Sequence, residues 1–220
     1  MRSILYLTIL LYIPTAHAEK EVPDFDYVAK HQFWGELYTY GGWTLYCGFR
    51  FKEREQTVTG APIKIEHIFS AAGMLKHAGC DSRMQCREQT NELFIRMEAD
   101  MHNMYPVIQA IITPVNNPSY GDIAGEDWKF DDCDYEKSGS TMEPRPVARG
   151  NVARSMLYMH LQYGVRLDQK LLDTLLVWNR EDPPSRQEKL RNDKIEILQG
   201  RRNPYIDDPT LADLLIVTGP

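Results

Sequence analysis

Apolar and polar residues alternate most regularly at Ile63-Lys64-Ile65-Glu66-His67-Ile68-Phe69, the period of a half-buried strand. In a regular strand Glu66 and His67 point to opposite faces, so one site can use both only where the strand ends or bulges. Upstream, Pro23-Asp24 opens a helix predicted over 25–38, with Val28, Phe33, Trp34 and Leu37 on its apolar side and Gly41-Gly42 as its break. Residues 43–51, rich in aromatic and β-branched side chains, read as a neighbouring strand. Downstream, 88–100 reads as a helix with Leu93, Met97 and Met101 on one side, and 104–113 as a second helical piece stopped by Pro114.

The last third of the chain is helical by the same test. Val152, Met156, Met159 and Tyr163 mark one apolar stripe over 147–163, with Gly164 as its C-cap. Asp168 caps a second helix carrying Leu171, Leu172, Leu175, Leu176 and Trp178. Ser185-Arg186-Gln187-Glu188 is a capping box for a third, running to about Leu198 and ending at Gly200. No internal repeat or low-complexity segment interrupts this order.

Composition narrows the class. At 220 residues the chain needs only one buried core. Residues 1–18 have the form of an export signal: Arg2, an apolar run from Ile4 to Ile13, and the cleavage-type Ala16-His17-Ala18. An uncleaved anchor is the competing reading, but the run is too short to span a bilayer. Removing the segment takes away Arg2 and no acid, so the charge moves from −6 to −7 over residues 19–220, the expected mature domain. Four cysteines in an exported chain predict two disulfides in one of three pairings. Cys80–Cys86 with Cys47–Cys133 is preferred, because the short loop holds Arg83 between its ends and the long one ties the early strand to the segment before the helices. Zinc is the alternative, but paired C-x-x-C units are missing.

Candidate chemistry begins at Glu66-His67, a carboxylate ligand for a hard cation beside a base that titrates near neutrality. The order Glu66-His67, Ser82-Arg83-Met84-Gln85-Cys86, Arg96-Met97-Glu98-Ala99-Asp100-Met101-His102-Asn103-Met104-Tyr105-Pro106, Glu143-Pro144-Arg145-Pro146, Ala148-Arg149-Gly150-Asn151-Val152-Ala153-Arg154 and Gln199-Gly200-Arg201-Arg202-Asn203-Pro204-Tyr205-Ile206-Asp207 resembles the bacterial endonuclease I family over residues 46–207. These are exported nucleases of the ββα-metal (His-metal finger) type. The resemblance implies an α+β, mainly α-helical single domain built around that motif, periplasmic or extracellular, monomeric, and off the membrane once its signal is removed.

The same resemblance implies a role for each matching residue. Glu66 would hold Mg²⁺ or another hard divalent cation such as Mn²⁺ or Ca²⁺, His67 would act as general base, and Arg83 would stabilise charge on phosphorus. His102 and Asn103 would support the fold. The expected substrate is DNA, with RNA as a second one, cut with little sequence preference. The family's metal-binding Asn stands nine residues after the match to Asn103, which in this chain is Ile112. Val115-Asn116 restores the pair four residues late, so Asn116, with Asn117 beside it, becomes the candidate second ligand. A nuclease-fold protein that has lost catalysis and binds nucleic acid or a protein is the alternative.

Charge adds two further expectations. Asp122 to Glu136 holds seven acids against one lysine and reads as a solvated loop rather than a calcium site. Arg145, Arg149, Arg154, Arg201 and Arg202 are the candidate nucleic-acid contacts, against the plainer reading of helix-surface ion pairs. No aromatic stacking platform stands out, so backbone contacts without base readout are expected.

Overall fold

The computed structural model describes residues 23–112, 118–128 and 132–216. The expected export signal and the candidate ligands Asn116 and Asn117 lie outside them. No described helix is long and apolar enough to cross a membrane.

The alternating segment forms a strand where its pattern places it, as β3 (Ile63–His67). Two short strands precede it, β1 (Gly42–Trp43) and β2 (Arg50–Phe51), which pair with each other, Phe51 also bridging Thr57. The single strand expected over 43–51 is therefore broken. Thr44 and Gly48 close a turn inside it, with Gly48 N–H on Thr44 O at 2.8 Å and Gly48 at φ +68°.

The true partner of β3 is β4 (Met104–Ile108), antiparallel in the register Glu66↔Tyr105 and His67↔Met104. That stretch was expected to be helical. Pro106 lies in its middle, where a helix would lose a hydrogen bond and clash with the preceding turn, and Tyr105, Val107 and Ile108 favour a strand. All five β4 residues are buried.

Three helices lie between the paired strands in sequence: α2 (Ala71–Ala78), α3 (Arg83–Glu88) and α4 (Glu92–Glu98). The helix expected over 88–100 starts late because Asn91 caps α4, its side chain accepting from Phe94 N–H, and Thr90 adopts φ +48°. Phe94, Met97 and Met101 are fully buried, whereas Leu93, expected in the core, is 38% exposed. At the N-terminus one α turn, α1 (Phe25–Tyr27), runs into π-helical Val28–Leu37, and spacings of five and four turn Val28, Phe33 and Leu37 inward.

A third sheet places β7 (Thr141–Pro144) between β5 (Ser119–Tyr120), parallel to it, and β6 (Tyr135–Ser138), antiparallel. The acidic segment leading to it is not wholly solvated. Glu136 is buried, accepting from Asp127 N–H, and Asp122 accepts from the Trp178 indole at 3.0 Å.

Helices α5 (Pro146–Tyr163), α6 (Gln169–Glu181), α7 (Arg186–Gln199) and α8 (Pro204–Asp207) follow, with α5 and α6 packed on the three-stranded sheet. Asp168 and Ser185 cap α6 and α7, and Gly164 and Gly200 close α5 and α7 in the left-handed conformation. Gly150 lets α5 approach the end of α6, since a Cβ there would lie 1.9 Å from Asp182 O.

Beside that contact, the fully buried Arg154 grips Glu188 through Nε at 2.7 Å and a terminal amine at 2.6 Å, and donates to Asp182 O at 2.7 Å. Breaking such a pair leaves an uncompensated charge in the core. Arg154→Ala should therefore lower unfolding stability by about 3–5 kcal/mol, while Arg154→Met with Glu188→Leu should cost much less. Equal urea midpoints for wild type and Arg154→Ala would contradict this.

Candidate active site

His67 is the last residue of β3, where the chain leaves the sheet. The exit is held by Asn103, fully buried, whose side chain accepts from Phe69 N–H at 2.6 Å and donates to Phe69 O at 3.0 Å. Ile68 N–H bonds Asn103 O at 2.9 Å, and Ser70 then caps α2. His102 is equally buried, with Nε2 on Arg201 O at 3.0 Å.

The His67 ring is 8% exposed and its Nε2 lies 2.8 Å from the main-chain oxygen of Glu98. A carbonyl only accepts, so Nε2 carries the hydrogen and the lone pair of the neutral ring sits on Nδ1. Burial lowers the pKa to about 4, keeping the ring neutral at pH 7.

Glu98 itself is 1% exposed and ion-paired on both oxygens: Oε1 with Arg83 Nε at 2.6 Å, Oε2 with Arg87 at 3.0 Å. The Arg83 approach is off the hydrogen-bond axis, leaving Oε1 without an aligned donor. Arg83 opens α3 behind its Ser82 cap and inside the Cys80–Cys86 disulfide. Its side chain stays 46% exposed. Phe25 packs against both groups, its ring centroid 5.3 Å from that of His67 and 5.6 Å from the Arg83 guanidinium carbon. Asp26 meets Arg87 at 3.3 Å.

Glu66 faces a different environment. Burial raises its pKa to about 7, and it forms no ion pair among the described residues. Burial raises the pKa of three phenols around it, Tyr46, Tyr120 and Tyr135, and the Glu66 charge adds to the shift of each. The hydroxyls of Tyr46 and Tyr120 are 2.8 Å apart, and that of Tyr120 donates to Ile68 O at 3.3 Å. The Cys47–Cys133 disulfide ties the chain beside Tyr46 to that before Tyr135. Both disulfides have the preferred pairing.

A half-buried carboxylate with no basic partner, among neutral hydroxyls, suits a hard cation that keeps most of its waters. Ile112, nine residues after Asn103, caps a 3₁₀ turn with an apolar side chain and offers no donor. No three His, Cys, Asp or Glu residues converge among the described residues.

The five arginines expected to meet nucleic acid are largely committed inside the protein. Arg154 is the clear correction: it is fully buried against Glu188 and reaches no ligand. Arg202 is held by Asp193, Glu196 and Asp207 at 2.6–2.9 Å. Arg149 pairs with Glu143 and lies over Trp178, and Arg145 donates to Leu45 O at 3.1 Å. Arg201 is half-buried beside Tyr163.

Glu98 and Phe25 escaped the sequence reading. Glu98 left a usable signal, because Phe94, Met97, Glu98 and Met101 fall on one helical face and a carboxylate there demands partners. Phe25 left none.

Comparison with known proteins places this arrangement. A model of the endonuclease I family matches residues 15–210. The chain is 32% identical over 168 residues to a periplasmic deoxyribonuclease of Aeromonas hydrophila, covering 73% of this chain and 69% of that one. It is 30% identical over 230 aligned residues to an extracellular deoxyribonuclease of the same organism, covering 94% and 97%. It is also 32% identical over 132 residues to an extracellular ribonuclease of Bacillus amyloliquefaciens, covering 52% and 45%. The family match spans the β3–β4 pair, the Arg83 helix and α5 to α8, and the chain belongs to the endonuclease I family.

Proposed function

We propose that this protein is an exported endonuclease, dependent on a divalent cation, that hydrolyses phosphodiester bonds of DNA and, as a second substrate, RNA. The observation that carries this reading is the locked tautomer of His67. Its Nε2–H is held by Glu98 O and its ring is kept neutral by burial, so Nδ1 can take a proton from an attacking water. The Arg83 guanidinium, held at Nε by Glu98 and half-exposed, can neutralise charge on the phosphorane oxygens. Glu66 would hold the cation, with Asn116 as the candidate second ligand. A bound hard cation would supply charge neutralisation at the scissile phosphate and the leaving oxygen. The names of the Aeromonas relatives support export and DNA as substrate, and that of the Bacillus relative supports RNA.

One observation favours the alternative, a catalytically degenerate nuclease fold that binds nucleic acid or protein. Ile112 stands where the family ligand is expected, and it cannot coordinate.

Two experiments test the reading. Oxidised protein should cut plasmid in Mg²⁺, stop in EDTA, and lose about 100- to 10,000-fold in rate as His67→Ala. Cutting that survives EDTA, or binding without cutting, would overturn it. Glu98→Gln keeps the main-chain oxygen but not the charge that orients Arg83. It should lower kcat about 10–100-fold, the range for groups that orient a site from behind, and unfolding stability by about 1–3 kcal/mol; unchanged kinetics would mean that Arg83 needs no such support.

A further inference from the structure

Arg154 is buried and Arg202 is held by three carboxylates, so part of the positive charge offered to a polyanion lies elsewhere. A groove of about 680 Å³ runs along β3 from Phe25 to Gln109. Three cations line it: Lys30 on the π-helical segment, Arg54 in the loop before β3, and Lys64 on β3 itself, all exposed. Neither Lys30 nor Lys64 forms an ion pair among the described residues, and Arg54 meets only Glu55, at 3.9 Å. Two acids also line the groove. Asp26 is directed at Arg87 and Glu55 at Arg54, and neither forms an ion pair with the two lysines.

The groove is continuous with the site already described. Phe25, at one end of it, is the ring that touches His67 and lies beneath Arg83. Lys64 stands two residues before Glu66 on the same strand, roughly 6.7 Å away along it. Trp34 contributes a second aromatic wall. Aromatic rings beside unpaired cations are what a nucleic-acid strand needs, phosphates on the cations and sugar or base faces on the rings.

The geometry points to this groove as the track for the nucleotides flanking the scissile phosphate, with Lys30, Arg54 and Lys64 as its phosphate contacts. The inference rests on the hydrolytic reading but is tested apart from it. The variant is K30Q/R54Q/K64Q, three exposed positions outside the catalytic set. A labelled duplex oligonucleotide is titrated across a salt series in EDTA, where binding proceeds without cutting.

The slope of log K against log salt should become shallower by about 2–3, near one per lost phosphate contact. With plasmid and Mg²⁺ the same variant should raise KM about 10- to 100-fold and leave kcat unchanged, the mark of lost uniform binding. An unchanged slope and KM would overturn the track, as would a fall in kcat alone. If the wild type binds but never cuts, the hydrolytic reading fails and the salt slope still decides the groove. If it does not bind at all, both fail.

Discussion

The site depends on one residue at the end of a helix. Glu98 is the last residue of α4, and the final carbonyls of a helix have no partner within it. His67 supplies the missing donor, so a routine problem of helix ends also fixes a tautomer. The C-terminal end of a helix favours a charged imidazolium, yet burial outweighs it and the ring stays neutral. The side chain of the same residue brings a carboxylate into the core, which is tolerated only because two arginines reach it. Those arginines lie four apart on α3, and the disulfide Cys80–Cys86 closes around the first. Backbone and side chain of Glu98 thus couple the strand bearing His67 to the helix bearing Arg83.

Adjacent residues on one strand serve separate surroundings. Glu66 lies among phenols pinned by Cys47–Cys133, and His67 lies against Phe25 and the end of α4. Alternation along β3 makes this division unavoidable. On the hydrolytic reading both address one substrate because the strand stops at His67, where the Asn103 side chain holds the departing backbone by both of its polar atoms. An Asn making both bonds across one residue acts as a missing piece of sheet. Its complete burial leaves it nothing else to do.

Much of this could be read before any coordinates, and the reasons differ by feature. Caps were legible at Asp168, Ser185, Gly164 and Gly200 because capping is local, decided by a side chain or a left-handed turn within four residues. Glu66-His67 was legible as a pair because alternation is also local. The partner of β3 was not, since the paired residues lie 37 to 45 positions apart, and the one local signal was Pro106, which opposes a helix there. The arginines failed for a related reason. Sequence reveals that Arg154 and Arg202 are basic but not that Glu188 and Asp207 fold against them. Burial made Arg154 an internal strut, and a surface network of carboxylates holds Arg202.

That conversion bears on how the cation and the substrate must cooperate. No three His, Cys, Asp or Glu residues converge among the described residues, and a single carboxylate such as Glu66 binds a hard cation weakly, leaving most of its shell to water. Non-bridging phosphate oxygens supply the missing negative donors, so on the hydrolytic reading the cation and the nucleic acid each raise the affinity for the other. Reciprocal binding of this kind relaxes the demand on the second protein ligand. A displaced Asn, or none, lowers affinity for the free ion more than for the ion brought in on a phosphate. Ile112 therefore weighs against tight binding of metal alone more heavily than it weighs against catalysis on a charged, multidentate substrate.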